Sequence, residues 1–274
     1  MALTRRKFLR YSGAAGVAAV TGYSLWEARD LQIAEFTVPV DRLPASFDGL
    51  RVALLADLHY GPFISRDYLR ATIDQANALG AELILLGGDY VHYHAKYIAG
   101  VMAEMSRLAA PLGVYAVRGN HDNHASPIIT TQEMIRYKIP QITNTGIWLT
   151  RGNERLRVCG VDDLRTGFPN LKAALGDTKP EETALLLSHN PDFAETLTDS
   201  RVGLVLCGHT HGGQVCLPVI GAPIVPSDYG QKYLYGPTAA PHTRVFVTRG
   251  VGAIFPPVRL NCPPEIALLT LVPA

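Results

Sequence analysis

The sequence predicts an α/β fold with parallel strand pairing. In its first half, short apolar β-like runs alternate with stretches of helical spacing, the order that builds strand–helix–strand units with helices on the sheet face. Each apolar run also ends in a polar cluster. The carboxyl edge of such a sheet is where α/β proteins place their sites.

The elements follow in order. Residues 33–40 alternate like a strand, and 44–49 form a turn region. The continuous apolar run 50–56 reads as a buried strand and ends in Asp57-Leu58-His59. Helical spacing covers 65–79, with Ser65 as N-cap and Gly80 just past the end. Strand 82–86 ends in Gly87-Gly88-Asp89, and a second helix covers 97–108. Strand 113–117 runs into Arg118-Gly119-Asn120-His121-Asp122, followed by a polar segment, 123–127. In the second half, 146–150 and 155–161 read as a hairpin around Gly152-Asn153. Strand 183–187 ends in Ser188-His189-Asn190, and 191–198 is a short helix. Strand 202–206 ends in Cys207-Gly208-His209-Thr210-His211. Residues 217–243 form a long loop rich in Pro, Gly and Tyr, and 243–248 and 266–271 are closing strands. There is no repeat at a solenoid period.

Composition sets outer limits. Hydrophobic residues are 47% and charged residues 18% of the 274, as in a globular protein. A domain of about 240 residues buries roughly 70–75% of its unfolded surface and requires no staple. Lys+Arg is 25 and Asp+Glu is 24, a balance that argues against a nucleic-acid partner, which asks for a basic face. The four cysteines, Cys159, Cys207, Cys216 and Cys262, match no zinc-finger spacing. Cys159 and Cys207 close apolar runs, and Cys207–Cys216 is the pair to consider for a bridge in an oxidising compartment.

Residues 1–30 read as a targeting segment and 31–274 as the catalytic domain. Arg5-Arg6-Lys7-Phe8-Leu9 resembles a twin-arginine export signal, with a Gly/Ala-rich run behind it from Tyr11 to Trp26. That run is short and small-sided for a membrane-spanning helix of about 20 residues. The segment implies the twin-arginine export machinery as a partner, and the periplasm or the outer face of the cytoplasmic membrane as the destination. The plain alternative is an ordinary amphipathic N-terminal helix.

Five strand ends carry Asp57 and His59, Asp89, Asn120 and His121, His189, and His209 with His211. Residues at i and i+2 of an extended chain point the same way, so Asp57/His59 and His209/His211 are each expected to converge. Mixed His, Asp and Asn donors suit manganese, iron or zinc rather than calcium. Seven candidates exceed one tetrahedral zinc and suit two divalent ions about 3.5–4 Å apart. Such a pair needs a shared carboxylate, and Asp89 is central in order.

Asp-x-His, Gly-Asp, Gly-Asn-His-Asp, a lone His and Gly-His-x-His, in that order, resemble the calcineurin-like metallophosphoesterases over roughly residues 50–272. The twin-arginine start, with Thr248-Arg249-Gly250-Val251-Gly252 and Pro264-Glu265-Ile266, resembles their exported or membrane-tethered bacterial branch, the YaeI/YkuE-like phosphodiesterases. The resemblance implies a four-layer α/β/β/α sandwich, two mixed β-sheets flanked by helices. It implies two divalent metals (Mn, Zn or Fe), one held by Asp57, His59, Asp89 and His211, the other by Asp89, Asn120, His189 and His209. His121 is then no ligand but the proton donor, while a metal-bridging hydroxide attacks a phosphodiester. Arg118 resembles the phosphate-contacting Arg of the Ser/Thr protein phosphatases and is a substrate-binding candidate, although an Arg ending a strand also pairs simply with an acid.

Here the chain departs from the protein phosphatases. The sequence Gly88-Asp89-Tyr90-Val91-His92 places His92 where they carry the Asp that supports the proton-donating His. Asp122 is expected to orient a ligand or cap the next segment. His92, His94 and His124 are expected on solvated loops near the metals. The loop 217–243, with Tyr229, Lys232, Tyr233 and Tyr235, is the candidate specificity element and suits a lipid or cell-envelope phosphate ester. The alternatives are a lipid-linked pyrophosphatase resembling UDP-2,3-diacylglucosamine hydrolases and a metal-binding envelope protein without turnover.

Overall fold

A computed structural model describes residues 4–274. The chain opens with α1, Arg5–Glu27, capped by the Thr4 side chain. Most of α1 is exposed, but Ser24 and Glu27 in its last turn are buried against the following domain. Among the described residues, no helix is long and apolar enough to cross a membrane. Residues 1–3 of the expected targeting segment lie outside the described residues.

Strand β1 (Gln32–Val40) precedes β2 (Arg51–Leu55), α2 (Arg66–Ala78), β3 (Leu83–Leu86), α3 (Ile98–Met105) and β4 (Val114–Ala116). Ser65 caps α2 by accepting from the Tyr68 N–H. Two helices follow, α4 (Asn120–Ala125) and α5 (Pro127–Arg136). The polar segment expected at 123–127 is thus mostly helix. Helix α5 buries only Thr130 and Met134, too narrow an apolar stripe to stand out in sequence. Its true signals are local: Ser126 caps it, accepting from the Ile129 N–H, and Pro127 occupies its first position.

The second half holds β5 (Thr145–Arg151), β6 (Glu154–Gly160), α6 (Leu171–Leu175), β7 (Ala184–Leu187), β8 (Val202–Cys207), β9 (Gly236–Ala239), β10 (Arg244–Val247) and β11 (Glu265–Pro273). The helix expected at 191–198 is a 3-10 segment, Pro191–Thr196. The loop expected over 217–243 contains a 3-10 turn, Gly230–Tyr233, and strand β9, antiparallel to β10.

The strands form two mixed sheets, ordered β1-β11-β2-β3-β4 and β5-β6-β7-β8-β10-β9. Strands β2, β3 and β4 run parallel, as do β6, β7, β8 and β10. The last strand, β11, inserts between β1 and β2, parallel to the first and antiparallel to the second.

Alternate residues of the fully buried strands serve different layers. Val52, Leu54, Leu83 and Leu85 meet Leu185, Leu187, Leu204 and Leu206 between the sheets. Ala53, Leu55, Ile84 and Leu86 pack instead against Ile73, Met102 and Met134 of the outer helices. On the far side, Leu186 and Val205 pack with Ala174, Leu175 and Phe193. The result is the four-layer α/β/β/α sandwich. It points the carboxyl ends of β2, β3, β4, β7 and β8 toward one rim.

Candidate metal centre

The seven expected ligand residues come together at that rim. Asp57, His59 and His211 form one cluster whose ligand atoms lie within 4.8 Å of one another, and Asp89, His189 and His209 form a second. In the first, the Nε2 atoms of His59 and His211 face each other at 2.9 Å. Asp57 Oδ1 lies 3.5 Å from His211 Nε2 and 3.8 Å from His59 Nε2. In the second, His189 Nε2 lies 3.2 Å from Asp89 Oδ2, 3.2 Å from His209 Nδ1 and 3.1 Å from Asn120 Oδ1. One oxygen joins the two clusters: Asp89 Oδ2 is also 3.7 Å from His59 Nε2.

The convergence is not the extended i, i+2 geometry expected from the sequence. Asp57, His59, Asp89, His209 and His211 all have positive φ, between 47° and 73°. For non-glycine residues that conformation costs on the order of 1–3 kcal/mol each and collects at functional sites. The strand ends after β2, β3 and β8 curl over in the left-handed region, which turns their side chains inward.

Two glycines admit the carboxylates. A Cβ at Gly119 would lie 2.2 Å from Asp89 Oδ1, and one at Gly208 would lie 2.4 Å from Asp57 Oδ2. With no Cβ at Gly119, Asp89 Oδ1 can accept the His121 N–H at 2.8 Å, which leaves Oδ2 aimed between the clusters. Asp122 supports this corner from below, accepting the N–H groups of Asp89, Tyr90 and Gly119 at 2.8, 2.9 and 3.0 Å.

The donor set suits divalent cations. His189 Nδ1 lies 2.8 Å from the Gly87 carbonyl, which fixes the tautomer and frees Nε2 as a ligand. Burial, together with neighbouring imidazoles, holds His59 and His211 well below the usual imidazole range, so both are neutral donors. Burial pushes the Asp57 carboxyl up to about 7. Burial also disfavours charge on His189, yet Asp89 and Asp57 outweigh it and raise that imidazole to about 10. The pocket's carboxylates therefore draw a proton onto a buried imidazole, and a metal cation answers the same charge.

His121 is buried, with Nε2 3.9 Å from Asp89 Oδ2. Its Nδ1 is hydrogen-bonded to the backbone carbonyl of His92. The Asp missing from the sequence is thus replaced by a main-chain oxygen, and the side chain at position 92 is not what orients His121. Arg118 has all three guanidinium nitrogens engaged: Nε with Asn123 at 2.8 Å, Nη1 with Thr131 at 3.0 Å and Nη2 with Asp162 at 3.1 Å. It braces this corner of the site by pairing with an acid.

In the loop, the Tyr233 hydroxyl donates to Glu195 at 2.6 Å, Lys232 pairs with the same carboxylate, and Arg249 stacks over Tyr235. Those three side chains therefore hold the loop down. All four cysteines are free, Cys207 and Cys216 included.

Two residues escaped the sequence reading. Arg259 is fully buried and donates to the carbonyls of Arg249 and Gly252 at 2.7 and 2.6 Å, and to those of Cys262 and His211 at 3.0 and 3.3 Å. The Val251 and Gly252 N–H groups in turn bond the Ala56 and Asp57 carbonyls at 3.0 and 2.7 Å. Arg259 thus ties the backbone of His211 to the loop that holds Asp57. Glu27, buried at the end of α1, accepts from the N–H groups of Asn261 and Cys262 at 2.9 Å each. Neither residue carries a local signal, since a lone Arg in an apolar stretch and a Glu in a helix are ordinary.

A two-sheet sandwich whose parallel strand ends gather two adjoining His/carboxylate clusters defines a metal-dependent hydrolase. The family model for calcineurin-like phosphoesterases matches residues 50–213, and the chain belongs to that family. It is 33% identical to the phosphodiesterase YaeI of Escherichia coli over 98% of this chain and 100% of that protein. It is 30% identical to the metallophosphoesterase YkuE of Bacillus subtilis over 98% of both chains. A metallophosphoesterase of Aquifex aeolicus is 28% identical over 93% of this chain and 97% of its own. The protein is a metal-dependent phosphoester hydrolase.

Proposed function

We propose that the protein is a dinuclear phosphodiesterase in which Asp57, His59, Asp89 and His211 hold one divalent cation, and Asp89, Asn120, His189 and His209 the other. The observation that carries this reading is Asp89 Oδ2, 3.2 Å from His189 and 3.7 Å from His59, one oxygen within reach of both clusters. A shared carboxylate offsets the repulsion between two neighbouring cations. When bound, the metals supply Lewis acidity toward the phosphoryl oxygens and a water ionised near neutral pH.

The chain's own residues do the rest. Asp57 and Asp89 would offset part of the cations' charge, and His59, His209 and His211, with His189 once a cation displaces its proton, would offer ring nitrogens. His121, held at Nδ1 by the His92 carbonyl, keeps Nε2 toward the centre and gives its proton to the departing alkoxide. The diester preference is supported by the name of the Escherichia coli relative, a phosphodiesterase.

Manganese, zinc and iron all suit this donor set. We read α1, with Arg5-Arg6 ahead of Phe8-Leu9, as a twin-arginine export helix that delivers the domain to the outer face of the cytoplasmic membrane. Retention of an Arg5→Lys/Arg6→Lys double variant in the cytoplasm would support that reading, and unchanged export would refute it.

The test of the enzyme is turnover of bis-p-nitrophenyl phosphate by chelator-stripped protein refilled with Mn, Zn or Fe, with elemental analysis of the same sample. Two ions per chain and metal-dependent turnover are expected. A single ion per chain at full activity, or turnover without metal, overturns the proposal.

A further inference from the structure

Beside the metal centre lies a second cavity, a cleft of about 370 Å³ with His211 in its wall. Its other walls are mainly Pro223, Ile224, Pro226, Ile254, Phe255 and Val258. His211 turns Nε2 toward His59 at 2.9 Å, so the cleft begins one side chain away from the proposed cations.

The polar side chains of the cleft are already committed. Thr210 Oγ1 donates to the Leu234 carbonyl at 3.1 Å. Gln214 accepts the Ile254 N–H at 2.7 Å and donates to the Ile254 and Pro256 carbonyls at 3.4 and 3.3 Å. A sugar or nucleobase entering here would lose its hydrogen bonds to water and find no free side-chain partner, at a cost of a few kcal/mol per group. A hydrocarbon chain loses nothing and gains by burial.

The rim points the same way. Ile224, Phe255, Val219 and Ile220 are all well exposed around the mouth and the adjoining loop, Phe255 by 73%. The end of α1 reaches the same segment, 253–258: Ala28 and Arg29 line a small cavity with Phe63, Ala253 and Pro257, and the Arg259 N–H donates to the Ser24 carbonyl. The helix leaving from this edge carries Arg5, Arg6, Lys7 and Arg10 with exposed Phe8, Leu9, Val17 and Trp26. Basic and apolar side chains together suit an anionic lipid surface. The cleft and the end of this helix therefore both border the segment 253–258.

From these observations we infer that the cleft is an acyl-chain subsite, and that the substrate is a phosphodiester lipid whose phosphorus meets the metal centre while an alkyl chain lies along Ile224, Ile254 and Val258. This inference rests on the phosphodiesterase reading above and names its substrate class.

The test measures kcat/KM of the metal-loaded enzyme for methyl, butyl and octyl p-nitrophenyl phosphate below their micellar concentrations. A rise of about two- to fourfold per added methylene is expected over the part of the chain that is buried, giving at least tenfold from methyl to octyl. Ile224→Asp and Phe255→Glu, both at exposed positions that tolerate a charge, are expected to flatten that rise. A rate independent of chain length overturns the subsite and leaves the phosphodiesterase reading standing. A rise that both variants preserve also overturns it, since the chain then binds elsewhere. Failure to cleave even the methyl ester with two ions bound overturns the underlying reading, and the subsite with it.

Discussion

Glu27, in the last turn of the N-terminal helix, accepts the N–H of Cys262 at 2.9 Å, from 235 residues away. Through the segment that also carries Arg259, this contact couples the end of the N-terminal helix to the backbone of His211. Ser24 and Glu27 at the end of that helix are thus buried against the rest of the chain.

Glu27→Ala leaves the buried Cys262 N–H and the Asn261 N–H without their acceptor, and the buried one alone costs about 1–3 kcal/mol. A lowered melting temperature is expected in the metal-loaded protein. Deleting residues 1–30 should lower it at least as much, while deleting residues 1–20 should leave it within error, because that part of α1 is exposed. Equal melting of all three proteins would show that the Glu27 contact does not matter.

Arg259→Met removes a buried guanidinium that serves the carbonyls of Arg249, Gly252, Cys262 and His211. A loss upwards of about 3 kcal/mol is expected, the scale of several orphaned buried polar groups. Weaker binding of one metal equivalent should accompany it, read by competition with a chromophoric chelator. Unaltered affinity for both equivalents would place Arg259 outside the support of the centre.

Gly119→Ala sets a methyl group 2.2 Å from Asp89 Oδ1 unless something moves. Overpacking of this kind costs about 1–3 kcal/mol, and here the strain falls on the shared carboxylate. The expected outcome is a folded protein with depleted metal and little turnover. Normal occupancy by elemental analysis would mean that Asp89 has room the geometry does not show.

His121→Ala should retain both metals and lose about 10²–10⁴ in kcat for a diester with an alkoxide leaving group, the range ascribed to general acid catalysis. The loss should be much smaller with p-nitrophenolate, which leaves without needing a proton. Equal losses for the two leaving groups would remove His121 as proton donor.

Metal itself is expected to stabilise the fold. A ligand at 100 times its dissociation constant adds about 2.7 kcal/mol to a native state that alone binds it. Titrating manganese into stripped protein should therefore raise the melting temperature continuously. Asp89→Asn should abolish most of that rise, and a full rise in that variant would show that the carboxylate is not shared.

The chemistry of this protein was legible in the sequence because it is locally encoded. Apolar runs that close on Asp57-Leu58-His59, Gly88-Asp89, Asn120-His121, His189 and His209-Thr210-His211 announce strand ends, and a parallel sheet gathers such ends on one edge. Residue type and order were enough to name the six residues of the two clusters, and Asn120 beside the second.

Tertiary structure alone decided how those side chains turn inward, since left-handed φ at five of them is not written in any local pattern. It decided that a main-chain carbonyl of His92 holds His121, and that Arg118 pairs with Asp162. It also placed β11 between β1 and β2, and set Glu27 and Arg259 behind the site. All of these depend on contacts between distant parts of the chain, and periodicity and capping signals report only on neighbours a few residues away.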